Sequence, residues 1–128
     1  MLLHVISDAP AHSHNLQVAA DPPPAIVAVA VVAQVFAVPA ADLMRTTRGR
    51  AGVALARQIA MYLAHVVGGQ TLTDIGHHFR RDRTTVAHAC RLVESRRDDP
   101  SFDRVVELLE WIIPVFASRN AAAAAHQA

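Results

Sequence analysis

The chain has no lysine: all twelve of its basic side chains are arginine. Every positive charge is therefore a guanidinium, which can grip a phosphate or a guanine edge with two parallel bonds. A coding bias of the gene accounts for the same fact equally well. Without lysine there is no G-x-x-x-x-G-K-S/T loop, so the sequence argues against an ATPase. A single cysteine, Cys90, excludes an intrachain disulfide and fits a reducing cytoplasm. Aromatic residues make up only 5% of the chain, so its core must be built largely from alanine and valine, which suits close-packed helices. The first twenty residues carry no basic stretch of the kind that opens a secretory signal. The longest apolar run, residues 25–38, falls short of the ~20 residues a membrane span needs and is interrupted by Gln34.

Groupings that carry catalytic or metal chemistry are also scarce. His4, His12 and His14 have no cysteine or carboxylate grouped with them at ligand spacing. His77 and His78 are adjacent, and neighbours on a helix point roughly 100° apart, so they do not share a metal. Cys90 and His88 diverge for the same reason, and Cys90 reads as core. No metal, no cofactor and no enzymatic activity is expected. At 128 residues the chain amounts to one domain with a modest core.

What is present is a segregation of charge. Net charge is only +1, but residues 45–97 hold ten arginines against Asp74, Asp82 and Glu94, a local excess of +7. The remainder carries −6. A basic middle between acidic ends is the footprint of a face that binds a nucleic-acid backbone.

Within that middle, residues 71–91 (TLTDIGHHFRRDRTTVAHACR) read as helix, corner, helix. Thr71 can cap the first helix, and Leu72, Ile75, Gly76 and Phe79 give it one apolar face. Arg80 and Arg81 form the corner, and Asp82 is placed to cap the second helix. Val86, Ala89 and Val93 then face inward, leaving Arg83, Thr84, Thr85, His88 and Arg91 outward. A helix with a small apolar inner face and Arg, Thr and His near its exposed N-terminus suits a DNA major groove. This is the pattern of a helix-turn-helix. Thr84 and Thr85 would meet thymine methyls or phosphates, Arg83 a guanine edge or phosphate, and His88 a base or phosphate. Asp82 could accept from a cytosine amino group, but its main reading is the cap. The helix starts near Thr73 and Thr84 can each hold a phosphate.

The runs RQIAMYLA (57–64), LTDIG (72–76) and RDRTTVAHACR (81–91) resemble the C-terminal DNA-binding domain of DnaA, the bacterial replication initiator. The family's signature reads roughly RDHTTVxHACR. The likeness extends upstream through VVAQVFAVPAADLM (31–44) and downstream to FDRVVELLEWI (102–112), about residues 25–113 in all. It implies an all-α, trp-repressor-like helical bundle, here without the ATPase that normally precedes it. It also implies a double-stranded DNA partner at DnaA-box-like sites, a role in replication initiation or transcription, and a cytoplasmic, nucleoid-associated location. The initiator itself or another replication factor is a further implied partner. Arg57 and Arg81 fall within the matching runs and join the DNA-contact set. In the family the segment matching 45–52 is a basic loop that reaches a minor groove, and Arg48 and Arg50 bracket the position expected to insert there. The motif itself departs from the family at two points: Phe79-Arg80-Arg81-Asp82 is one residue shorter than Phe-Gly-Gly-Arg-Asp, and Arg83 replaces a histidine. Leu55-Ala56 also stands where the family carries Arg-Pro.

In order, residues 1–24 read as a disordered lead-in ending in three prolines. Residues 25–38 suit a strand or a buried helix by composition; the resemblance implies a helix, with Phe36 its main anchor. Pro39 ends it, and a short turn or helix carries Asp42 and Leu43. Residues 53–67 read as a strong helix with Ala56, Ile59, Ala60, Leu63 and Val67 inward and Arg57 and His65 on a polar face, stopped by Gly68-Gly69. Ser101 is expected to cap the last helix, Val105, Leu108, Leu109, Ile112 and Ile113 to be its buried face, and Pro114 to end or kink it. The domain is thus expected over 25–117, followed by a frayed alanine-rich tail over 118–128. No heptad marks a dimer face.

Overall fold

The computed structural model describes residues 22–46 and 49–127, with side chains through Arg119. Among these residues there are six helices and no strand: α1 (Pro24–Phe36), α2 (Ala40–Leu43), α3 (Ala51–Val66), α4 (Leu72–Phe79), α5 (Arg83–Arg96) and α6 (Pro100–Gln127). The all-α helical bundle expected from the sequence is what forms. The helix-or-strand ambiguity of the first apolar run resolves to helix.

Proline starts α1 at its first position, where a missing N–H costs nothing, and Ala37 ends it in the left-handed conformation at φ 53°. Its buried side is Ala25, Val27, Ala28, Val29, Val31 and Val32. Phe36 packs only partly against the core and is not the anchor expected of it. The small residues let α1 lie close on α3, its principal neighbour, and α6 covers α1 from another side. The junction is drawn tight by Gln70, whose side-chain oxygen accepts the Ala25 N–H at 2.9 Å, and by Gly68, whose missing Cβ leaves room for Pro24.

Helix α3 is the hub. It begins two residues earlier than expected and contacts α1, α2, α4, α5 and α6. Ala56, Ile59, Ala60 and Leu63 are buried as expected, but so are Met61, Tyr62 and Ala64, because neighbours surround it rather than flank one stripe.

Arg57 overturns its expected place on a polar face. It is 4% exposed, and its Nε donates to the carbonyl oxygen of Leu43 at 2.8 Å while a terminal nitrogen donates to that of Asp42 at 2.9 Å. Burial, and then the nearby Arg81 charge, lower its pKa; Asp42 acts the other way.

The last helix corrects three expectations. Its cap is Asp99, whose carboxylate accepts the Ser101 N–H at 3.2 Å; Ser101 lies inside the first turn. Its buried residues are Val106, Leu109 and Ile113, whereas Val105 and Leu108 face out. Of the two outcomes expected at Pro114, an end to the helix is overturned, for the helix continues to Gln127 through the alanine-rich segment.

Arg97, at the end of α5, fastens α6 in place. Its Nε donates to Asp103 at 2.5 Å, and its terminal nitrogens donate to the two Glu110 oxygens at 2.7 and 3.2 Å and to the Tyr62 hydroxyl at 3.0 Å. The Glu110 bonds, foremost, hold its pKa above the ordinary arginine value.

Candidate nucleic-acid interface

Helices α4 and α5 form the expected pair, and the residues joining them explain how a short corner suffices. Thr71 caps α4, its hydroxyl accepting the Asp74 N–H at 3.1 Å. At the other end Arg80 takes the left-handed conformation (φ 57°, ψ 44°), its N–H bonding to His77 O and that of Arg81 to Gly76 O at 2.8 Å. That bond pair is a Schellman ending, which normally favours glycine at the left-handed residue. The turn is so tight that a Cβ on Gly76 would stand 2.5 Å from the Arg81 carbonyl oxygen. Glycine is required there. Arginine at position 80 carries a strain of about 1–2 kcal/mol, offset in a glycine variant by an entropic cost of about 0.5–1 kcal/mol, so Arg80→Gly is expected to stabilise the fold by about 1 kcal/mol or less in chemical denaturation. A loss of stability would mean that the Arg80 side chain has a structural role.

Asp82 caps α5, as the sequence predicts. One carboxylate oxygen accepts the Thr84 N–H at 2.7 Å, the Thr84 hydroxyl at 2.6 Å and, more weakly, the Thr85 N–H at 3.4 Å. The Thr84 bonds hold the fully exposed carboxyl below the usual carboxylate range. Thr84 therefore has its hydroxyl engaged and presents its methyl group. Ile75, Phe79, Val86, Ala89, Cys90 and Val93 are buried beneath the pair. Arg83, Thr84, Thr85, His88 and Arg91 all point to solvent.

Between α3 and α5 runs a groove of about 690 Å³ whose walls include Thr85, His88 and Arg96 from α5 and Gln58 from α3, with Arg57 and Arg81 also lining it. Across the corner, Thr73, Arg80, Arg81, Asp82 and Arg83 share a second hollow of about 600 Å³. A smaller one, about 210 Å³, brings Arg50 near Arg45 and Arg57. Of the sequence-derived set, Thr73, Arg83, Thr84, Thr85, His88 and Arg91 are exposed around the start of α5, and Arg50 is exposed at the start of α3. Arg81 is half-buried, with a terminal nitrogen donating to Arg45 O at 2.6 Å. Arg57 is buried. Arg48 lies outside the described residues, as do His4, His12 and His14.

Three polar groove residues were missed: Thr46, Gln58 and Arg96. Thr85, His88, Leu92 and Arg96 follow one another at helical spacing on one face of α5, so extending the Thr85–His88 face by two further turns would have found Arg96. Gln58 had no such signal, because its exposure depends on which side of α3 faces α5. The basic middle is also less uniform than its charge suggests, since Arg97 serves the acidic face of α6. Among the described residues no cluster could hold a metal, and no helix is long and apolar enough to cross a membrane.

Residues 27–93 match the family model described as the bacterial DnaA protein helix-turn-helix. The chain is 42% identical over 81 residues to the chromosomal replication initiator protein DnaA of Symbiobacterium thermophilum, which covers 62% of the chain. It is 37% identical over 83 residues, 63% of the chain, to the protein of the same name from Lachnoclostridium phytofermentans. In each case the match spans 18% of the relative's length.

Proposed function

The chain belongs to the family of the bacterial DnaA helix-turn-helix domain, and from that premise we propose that it binds double-stranded DNA sequence-specifically, entering the major groove with the N-terminal half of α5. The target is a DnaA-box-like site near an origin or promoter, where the protein competes with or assists the full initiator in the cytoplasm. The observation that carries this reading is the exposed row Arg83, Thr84, Thr85 and His88 on a helix whose start is capped by Asp82 and braced by α4. In this reading Arg83, Thr85 and His88 reach base edges or phosphates, the Thr84 methyl meets apolar groove surface, and Thr73, Arg50 and Arg91 contact the backbone.

The combined variant Thr84→Ala/Thr85→Ala tests the groove assignment. It should lower the preference for a box over a scrambled duplex about tenfold, within the roughly 1–3 kcal/mol that a good base contact supplies. The salt slope should stay near its wild-type value, because the lost groups carry no charge. Unaltered affinity and preference would make the groove assignment wrong.

A second reading has one observation in its favour. Trp111 is 76% exposed on α6, with Leu108 and Val115 also exposed on that helix, as a module working through a replication factor would require. Binding that falls steeply with salt, by roughly 0.9 log unit per phosphate contact for each tenfold rise, favours DNA instead.

A further inference from the structure

Arg57 and Arg81 sit on different helical units yet grip the same short piece of backbone. Arg57 holds the carbonyl oxygens of Asp42 and Leu43, and Arg81 holds that of Arg45 at 2.6 Å. The Asp42 and Leu43 carbonyls lie at the C-terminal end of α2, where intrahelical donors run out, and Arg45 follows just beyond it; the Asp42 carbonyl also accepts the Arg45 N–H at 3.3 Å. The two guanidiniums lie near enough for Arg81 to depress the Arg57 pKa, so the carbonyl oxygens offset a repulsion between like charges. The segment they grip leads straight into Arg45, whose own side chain is 68% exposed and 3.5 Å from Asp42. Beside it, Thr46 lines the α3–α5 groove.

We infer that Arg57 and Arg81 are positioning residues: together they tie the exposed Arg45 to α3 and to the helix-turn-helix corner, so that Arg45 meets a backbone phosphate in fixed register with α5 on one duplex. This rests on the proposed DNA binding and deepens it. Arg57 then acts on affinity through Arg45, without touching a phosphate. The position differs from a phosphate contact in one testable respect, the kind of cation it demands. A phosphate contact accepts lysine in place of arginine; a planar fork bonded to two successive carbonyls does not.

The experiment is a double-mutant cycle on the full chain, with Arg57→Lys and Arg45→Ala measured alone and together by fluorescence anisotropy on a box duplex over a salt series. Arg57→Lys keeps the net charge, yet it should weaken binding about tenfold and lower the salt slope by about 1, as if the Arg45 phosphate contact had gone. In the Arg45→Ala background it should add little. Arg81→Ala, at a less buried position, should likewise add little in the Arg45→Ala background and serves if Arg57→Lys does not fold. Wild-type binding by Arg57→Lys, or losses that multiply with that of Arg45→Ala in either cycle, would overturn the positioning role alone. Failure of the wild-type chain to bind any duplex would remove the DNA-binding reading, and this inference with it.

Discussion

Phe79→Ala is expected to destabilise the fold by about 3–5 kcal/mol, the range for emptying a buried aromatic site. Phe79 is the last residue of α4 and only 1% exposed. It belongs to the same buried cluster as Ile75, Val86, Ala89 and Val93, where α4 meets α3 and α5. Relaxation into the cavity is restricted on both sides. The chain after Phe79 is held by the Arg81–Gly76 bond, and Gly76 leaves no slack against the Arg81 carbonyl. A domain of this size has a total stability of about 5–15 kcal/mol, so the variant would lie close to the unfolding threshold. Thermal denaturation followed by circular dichroism should show a fall of roughly 15–30 °C. A fall of only a few degrees would mean that α4 is not packed as described.

Arg97→Ala is expected to cost about 2–3 kcal/mol. Its guanidinium joins α5, α3 and α6 through bonds to Glu110, Asp103 and Tyr62. Glu110 and Asp103 keep 29% and 41% of their side-chain surface, so solvent screens part of each attraction and the figure stays below that for a fully buried pair. Removing the cation also deprives the Asp103 and Glu110 carboxylates of their common partner. Tyr62→Phe, which deletes one neutral acceptor, should cost about 1 kcal/mol or less. Urea denaturation of both variants checks the ordering. If Arg97→Ala cost no more than Tyr62→Phe, Arg97 would not be what fastens α6.

The two variants mark the boundary between what local sequence dictates and what only the assembled fold decides. The α4–α5 pair was legible because its determinants lie within one or two turns: Thr71 and Asp82 as caps, and Ile75, Phe79, Val86, Ala89 and Val93 at helical spacing. The shortened corner was legible as a departure, but its solution was not. An arginine in the left-handed conformation is a choice that periodicity cannot reveal.

Helix α6 shows a different limit. Its apolar residues form two overlapping stripes, 105/108/112 and 106/109/113, each compatible with a helix. Docking against α1 and α3 buries the second. Arg57 was misread for a related reason. On an isolated α3 it sits where a polar face should be, and the carbonyls that bury it arrive from a segment 14 and 15 residues earlier. Arg97 likewise counted towards a basic surface until the acids of α6 were folded against it.

The most direct test of the central claim is a fluorescence anisotropy titration of the full chain at moderate salt, comparing a duplex that carries the initiator's consensus box with a scrambled duplex of equal length. The geometry around α5 predicts a clear preference for the box despite Arg83 and the shortened corner. Equal, salt-sensitive binding to both duplexes, or no binding to either, would contradict sequence-specific recognition through α5.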